Sequence, residues 1–414
     1  MKVKLPVFII SGKSPLEDPG GYPAYARILA ITLTSLGYPV HTLAIGKKQG
    51  VEKTEYGDIH ILNTKLLKLF PFLHHLALAG LPYYSFIFAK EIKRIVKEKK
   101  IAKFILWGMG PWAFPGAFLK IFPQKNVHMT MMSSYFTSTR HEMKGALDAI
   151  RVKDYGLIPK IKYLVVYEIV ARVFNLFEKI TLDFCDLVVI HYNSSKKIIR
   201  EGFNVEDKKI HMFPWYAETF KREGDKSIET TKYSRPLIVS ICRQDPRKGI
   251  NFIIHAIKIL SQKYPNITCL IVGSGSFYEL NKKLAEKLNI TKKVIFLGFV
   301  ADINPILTEA DITVVVPLRQ GSSALTVLES MSYGKTLVVS NCDGIPEDIK
   351  DNFSGLIVES GNEASLAKAL EKLIKNPALR KRLGENAYKT YKSRFGFDKM
   401  KSHIEKMLST NIKA

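Results

Sequence analysis

Four short segments set charged or hydroxyl side chains beside glycine where an apolar run gives way to a helical pattern. Arg243-Gln244-Asp245-Pro246-Arg247-Lys248-Gly249 is one of them. Cations at Arg243 and Lys248 beside a helix N-terminus suit a diphosphate, because positive charge and exposed amides both favour anions. Taken alone, the segment reads equally well as a solvated charged loop. Asp18-Pro19-Gly20-Gly21-Tyr22-Pro23 follows the first apolar run of the chain. Paired glycines there let a backbone approach an anionic ligand closely, although an ordinary tight turn needs nothing more. No third glycine completes a dinucleotide fingerprint. Val272-Gly273-Ser274-Gly275 is as apt for packing as for a ligand. In the fourth segment, Pro317 to Glu329, Ser322 or Ser323 is the expected helix N-cap, leaving neighbouring amides to face an anion. Glu329, flanked by Leu325, Leu328 and Met331, is a carboxylate among apolar neighbours and needs donors such as ribose hydroxyls. A Glu on the rim of an amphipathic helix is the plainer alternative.

These turns must be carried by regular elements. Short apolar runs alternate with amphipathic stretches along nearly the whole chain of 414 residues, the pattern of α/β domains built on parallel sheets. Strands are predicted at 5–10, 39–45, 58–62, 103–107, 127–132 and 187–191, and again near 236–242, 267–272, 293–297, 312–316, 336–340 and 355–358. A single core rarely grows beyond about 250–300 residues, so two domains are expected, 1–217 and 235–394. The polar segment 218–234 reads as a solvated linker. A basic tail follows, and its last helix, 395–414, either stays on the second domain or crosses back to the first.

Hydrophobic residues at 46% and aromatics at 11% exclude general disorder. Cys185, Cys242, Cys269 and Cys342 stand far apart, so neither a disulfide framework nor a structural zinc site is suggested and a reducing cytoplasm is expected. Lys and Arg number 62 against 38 Asp and Glu, a net charge of +24. About +15 of it falls in residues 1–200 and about +9 in the rest. Such charge attracts nucleic acid, nucleotide or anionic lipid. With no aromatic stacking pattern or DNA-reading motif, nucleic acid is not an expected partner. From Leu69 to Ala89 no charged residue occurs, but Pro71, Gly80 and Pro82 break what would otherwise be long enough for a membrane span. Residues 64–100 combine such apolar sequence with Lys93, Arg94, Lys97, Lys99 and Lys100. An interfacial segment at an anionic membrane surface is one expectation, peripheral on the cytoplasmic face. An amphipathic helix packed on the sheet with a solvated basic face is the other.

Six motifs occur in order: R-Q-D-P-R-K-G at 243–249, L-I-V-G-S-G at 270–275, F-L-G-F-V at 296–300, A-D-I-T-V-V-V-P at 310–317, L-T-V-L-E-S-M-S-Y-G-K at 325–335 and G-I-P-E at 344–347. Together they resemble the large family of retaining glycosyltransferases with the GT-B fold, the group 1 type. The resemblance is close over 235–375 and looser before it. It implies two Rossmann-like, doubly wound parallel-sheet domains facing across a cleft. It also implies a nucleotide-diphosphate sugar donor (UDP-, GDP- or ADP-linked), a glycan or lipid-linked acceptor, and no metal or other cofactor. By position, Arg243 and Lys248 match the pair that grips the donor diphosphate, and Val300 matches the position whose backbone meets the base. Leu325 and Thr326 match the helix start beside the phosphates, and Glu329 the glutamate that holds the ribose. Gly20 and Gly21 match the glycine loop that closes over the donor.

Two departures from the family pattern stand out. Gly321 occupies the place of the family's first glutamate, so Ser322 and Ser323 are the expected substitute donors. His141 lies several residues later than the family's first-domain histidine, and is expected either near the reacting sugar or on a solvated helix start. These departures keep one alternative open, a non-catalytic GT-B-fold protein that binds nucleotide sugar or glycan.

Overall fold

The computed structural model describes residues 4–16, 21–46, 48–63, 81–217, 229–230, 232–320 and 324–412. Gly20, Gly321, Ser322, Ser323, the stretch 64–80 and most of the expected linker lie outside the described residues. The chain divides into two compact units, the first formed by Met1–Ser138, Arg172–Tyr216 and Phe397–Ala414, the second by Thr139–Ala171 and Ala217–Gly396.

The first unit is built on an eight-stranded sheet. Its strands are β1 (Val7–Lys13), β2 (Val40–Ile45), β3 (Gly50–Thr54), β4 (Gly57–Leu62), β5 (Lys103–Met109), β6 (His128–Ser134), β7 (Leu187–Ile190) and β8 (Ile210–Met212), in the order β3-β4-β2-β1-β5-β6-β7-β8. All neighbours are parallel except β3, which pairs antiparallel with β4. Val7, Phe8, Ile9 and Ile10 are completely buried, because helices cover both faces of a parallel sheet and its strands become continuous apolar runs. Those runs made the strands legible. β3 was not expected: it is polar and mostly exposed, and Glu52 and Lys53 guard an edge rather than fill a core.

Helix Leu81–Glu98 buries Leu81, Tyr84, Phe88, Ile92 and Ile95, and its Arg94 pairs with Glu91 and Glu98. This half of the 64–100 segment is therefore the packed amphipathic helix of the second expectation. The last helix, Phe397–Asn411, belongs to the first unit, with His403 stacked on Phe213 and Phe397 against Tyr216.

The second unit carries six parallel strands, β9 (Leu237–Ile241), β10 (Thr268–Val272), β11 (Val294–Gly298), β12 (Ile312–Val315), β13 (Thr336–Ser340) and β14 (Leu356–Val358), in the order β11-β10-β9-β12-β13-β14. The chain runs outward from β9 one way and then from β12 the other. A crevice therefore opens outside the carboxyl ends of β9 and β12, where doubly wound sheets take their ligands. Ile253, Ile257, Leu270, Val314 and Leu370 are among the fully buried residues.

Residues 139–171 group with this unit, although the expected first domain ran unbroken to 217. Ion pairs and hydrogen bonds explain the difference. Arg151 holds Glu363 at 2.9 Å, Asp154 holds His255 at 2.9 Å, and the Tyr155 hydroxyl donates to Asn281 at 2.7 Å. These partners are far apart in sequence and only the folded chain brings them together.

Candidate functional site

The loop after β9 is shaped by one glycine. Pro246–Lys248 forms a single 3-10 turn, and Gly249, at φ 74°, starts helix Ile250–Ser261. A Cβ there would sit 2.2 Å from the Val316 carbonyl oxygen, so only glycine permits this left-handed residue and this approach to the end of β12. The Leu318 amide donates to the Arg247 carbonyl at 2.8 Å and fastens the two loops together. The six-residue spacing from Arg243 to Gly249 thus delivers Lys248 to the mouth of the crevice between β9 and β12.

There the Lys248 ammonium donates to Gln320 Oε1 at 2.5 Å, and Arg247 reaches the same oxygen at 3.3 Å. Gln320 in turn donates its backbone N–H to Asp343 Oδ2 at 2.6 Å. His141 Nε2 lies 3.0 Å from both carboxylate oxygens of Asp343. A continuous polar chain therefore joins Lys248, Gln320, Asp343 and His141. His141 sits on helix Thr139–Ala149, which Glu142 ties to Arg247 at 3.1 Å. The histidine does stand at a helix start, but its side chain is only 19% exposed and therefore not solvated.

The electrostatics follow from burial and neighbouring charge. Burial, and after it the Arg247 guanidinium, pushes the Lys248 ammonium down to about 7. Asp343 is held below its ordinary range: burial works the other way, and the hydrogen bond and charge of His141 with the Gln320 amide outweigh it. Asp245 is likewise low, with Arg243, Arg247 and Lys248 overcoming its burial. Arg243 lies close enough to depress Lys248, but its side chain is 67% exposed and bonded to Asp245 at 2.6 Å.

The turn after β10 serves packing. Gln244, fully buried, accepts Asn281 Nδ2 at 2.8 Å on its side-chain oxygen and donates to the Gly273 carbonyl at 2.8 Å, and its backbone N–H bonds Ser274 O at 2.9 Å. The Gly-Ser-Gly turn thus clamps the loop that carries Arg243 and Lys248. At helix Leu325–Ser332 the N-cap is Ala324, with no side-chain cap, in place of the expected serine. Thr326 Oγ1 donates instead to the Ile241 carbonyl at 2.9 Å, which pins the helix start to the end of β9. Leu325 and Glu329 are half-buried on this helix, and Glu329 shares a face with Thr326 one turn before it. Val300, just past β11, packs partly against the small cluster of Leu237, Val239, Leu270 and Ile306. In the first unit, Gly21 begins helix Gly21–Ser35 at φ 62°, and no atom of the described residues lies within 4 Å of where a Cβ would be.

Structure therefore gathers Lys248, Arg243 and His141, sets Thr326 and Glu329 on the helix pinned to β9, and adds four residues that sequence reasoning missed: Glu142, Arg247, Gln320 and Asp343. Arg247 lay inside a quoted motif, and Asp343 directly precedes the G-I-P-E motif. Its φ of 46° suits the short polar residues of such turns. Gln320 had no signal beyond adjacency to Gly321.

Comparison with known proteins accords with this geometry. Residues 221–390 match the family model of glycosyl transferases group 1. The chain is 23% identical over 399 residues to an uncharacterized glycosyltransferase of Methanocaldococcus jannaschii, covering 95% of each chain. Among solved structures it resembles sucrose-phosphate synthase from Thermosynechococcus elongatus (TM-score 0.72, 17% identity, 98% and 99% of the two chains). It also resembles Anabaena HepE in complex with UDP (TM-score 0.65, 13% identity, 98% and 100%). Both likenesses bear on the fold, two parallel-sheet α/β domains of the GT-B type. The part of the chain that this family model matches is thus the part that supplies Lys248, Gln320 and Asp343 to the crevice, and there the chain is similar to the glycosyl transferases of group 1.

Proposed function

We propose that the protein transfers a hexosyl group, with retention of configuration, from a nucleotide-diphosphate sugar to a hydroxyl of a glycan or lipid-linked acceptor. The observation that carries this reading is Lys248, half-buried at the carboxyl ends of β9 and β12 and bonded to Gln320. A cation there suits the donor diphosphate and the charge that grows on it as the sugar departs. In a front-face displacement the bond from the anomeric carbon to the phosphate oxygen breaks while the acceptor oxygen bonds the same face, and the acceptor's proton goes to the leaving phosphate. Such a step needs positioning and electrostatics rather than a dedicated base. Arg243 and Lys248 supply the positive charge, Glu329 the ribose contact and Val300 the base contact. Thermal-shift screening with UDP-, GDP- and ADP-sugars tests the donor class, because a bound donor stabilises the native state by mass action. Anomeric analysis of the product tests retention, and an inverted product would overturn that part.

Donor binding should depend on pH with a definite sign. In the free protein Lys248 loses its proton near 7, and a diphosphate beside it favours the charged form. Binding therefore takes up a proton above pH 7, and affinity for UDP should fall as pH rises from about 7 to about 9, by up to tenfold per unit. Calorimetry in buffers of different ionisation enthalpy reads this uptake directly. The fold responds oppositely. Between about 7 and 10.5 the unfolded chain holds this proton and the folded chain does not, so stability from this group rises with pH across that window.

An anionic membrane surface is the partner proposed for the lipid-linked acceptor. No helix among the described residues is long and apolar enough to cross a membrane. Helix Leu157–Phe184 nevertheless exposes Ile158 (82%), Ile161, Val165, Ile169, Val173 and Leu176, spaced three or four apart along one face. Lys160, Lys162, Arg172 and Lys179 accompany them, the composition of an interfacial helix. Flotation with anionic liposomes should show association at low salt, weakened at high salt and lost in a Val165→Asp, Ile169→Asp double variant. Failure to associate at low salt would sink this proposal.

A further inference from the structure

At the amino ends of β2 and β4 in the first unit, three side chains meet that the transfer reaction does not use. The parallel register sets His41 opposite Asp58, with His60 two residues further along β4, so all three occupy one face of the sheet. His41 Nδ1 lies 3.2 Å from His60 Nε2 and 3.5 Å from Asp58 Oδ2, and one ligand atom from each residue falls within 4.8 Å of the others. Ligands about 2.0–2.1 Å from a tetrahedral ion stand about 3.3–3.4 Å from one another, so the two measured separations bracket that edge.

We propose that His41, Asp58 and His60 bind a transition-metal ion of the zinc class, with water as the fourth ligand on the exposed Asp58 side, as a clip between β2 and β4. Two imidazoles and one carboxylate form a borderline donor set of the kind that suits zinc. Two further observations point the same way. Among the described residues buried His60 Nδ1 has no hydrogen-bond partner of ordinary geometry, yet it faces Glu91 Oε1 at 3.4 Å. That is the outer carboxylate by which metal-bound histidines are oriented. Arg94 holds Glu91 in place at 2.6 Å. The site also has an entrance, since Asp58 is partly exposed and Lys99 half exposed. It sits at the opposite edge of the sheet from the carboxyl ends where such folds place their ligands, hence its role as a clip.

Lys99 is the competitor. Its ammonium stands 3.2 Å from His41 Nε2 and 3.5 Å from Asp58 Oδ2. As Lys99 can only donate, His41 Nε2 accepts, and Nδ1 then carries the hydrogen toward His60. A metal on Nδ1 requires the other tautomer, so the ion and the Lys99 contact exclude each other. Removing this positive charge should therefore tighten metal binding.

The test uses the full chain, stripped with a chelator and titrated with Co²⁺ as a visible probe, then with Zn²⁺ in competition. One equivalent of Co²⁺ per chain with the absorption of a tetrahedral site is expected, displaced by Zn²⁺, together with a rise in Tm. Asp58→Asn and His60→Gln should each weaken binding at least tenfold, and Lys99→Met, at a half-exposed position, should tighten it about tenfold. Absence of stoichiometric Co²⁺ binding would overturn the proposal. So would affinities unchanged in both ligand variants, which would put the ion elsewhere. Should the ligand variants fail to fold, Lys99→Met decides: tighter binding supports the site, and unchanged or weaker binding overturns it.

Discussion

Lys248→Ala should lower kcat by about 100- to 1000-fold, the effect of deleting one preorganised group that meets charge developing in a transition state. Its ammonium stands 2.5 Å from Gln320 in the crevice beyond β9 and β12. The same variant should unfold at the same temperature as the parent or higher, because burial disfavours the Lys248 charge and deleting the side chain relieves that penalty. Gln320 keeps a donor, Arg247 at 3.3 Å. Loss of rate with unimpaired stability separates this role from a structural one. Initial-rate assays of transfer and of sugar-nucleotide hydrolysis, paired with thermal unfolding, measure both. A variant that keeps the parent rate would remove Lys248 from the reaction, and a matching drop in Tm would make its role structural.

Gly273→Ala should destabilise the second unit by about 3–5 kcal/mol, combining strain at a positive φ with overpacking against rigid backbone. Gly273 has φ 117°, and a Cβ would stand 2.1 Å from the Cys242 carbonyl oxygen. Neither partner can yield, since Gly273 N–H bonds Gly298 O at 2.6 Å and Cys242 N–H bonds Val272 O at 3.0 Å. At about 2–4 °C per kcal/mol for a domain of this size, the loss is on the order of 10 °C in Tm. Nucleotide binding should weaken with it, because the same turn clamps Gln244 and through it the loop of Arg243 and Lys248. Gly202→Ala is the control: a Cβ there meets nothing within 4 Å among the described residues, and alanine favours its helix. Differential scanning calorimetry of both variants makes the comparison. Equal Tm values would show that the turn tolerates a side chain.

Much of the fold was readable from local pattern. A buried parallel strand is an apolar run bounded by turn residues, and all twelve expected strands lie where such runs occur. β3 and β8 escaped because one is polar and the other three residues long. Helix Thr139–Ala149 was expected only as one of two settings for His141, because its buried residues, Gly145, Ala146 and Ala149, are too small to mark an apolar face in the sequence. The motif-bearing residues Arg243, Lys248, Thr326 and Glu329 could be singled out because each stands at a fixed spacing from a glycine or a helix start. Gly321, Ser322 and Ser323 lie outside the described residues, and the serine N-cap expected among them gave way to Ala324.

Local sequence thus determined the alternation of strands and helices, the six ordered motifs and the family resemblance they carry, since each depends on residues within one turn or one strand. Tertiary structure alone decided which distant residues share a space. The strand order β9-β12 opened the crevice, Gly249 brought its loop against Val316, and contacts spanning up to two hundred residues joined Lys248 to Gln320 and His141 to Asp343. It also moved residues 139–171 into the second unit, and set His41 beside Asp58 and His60. Such pairings arise from strand register and close packing, which no short segment encodes by itself.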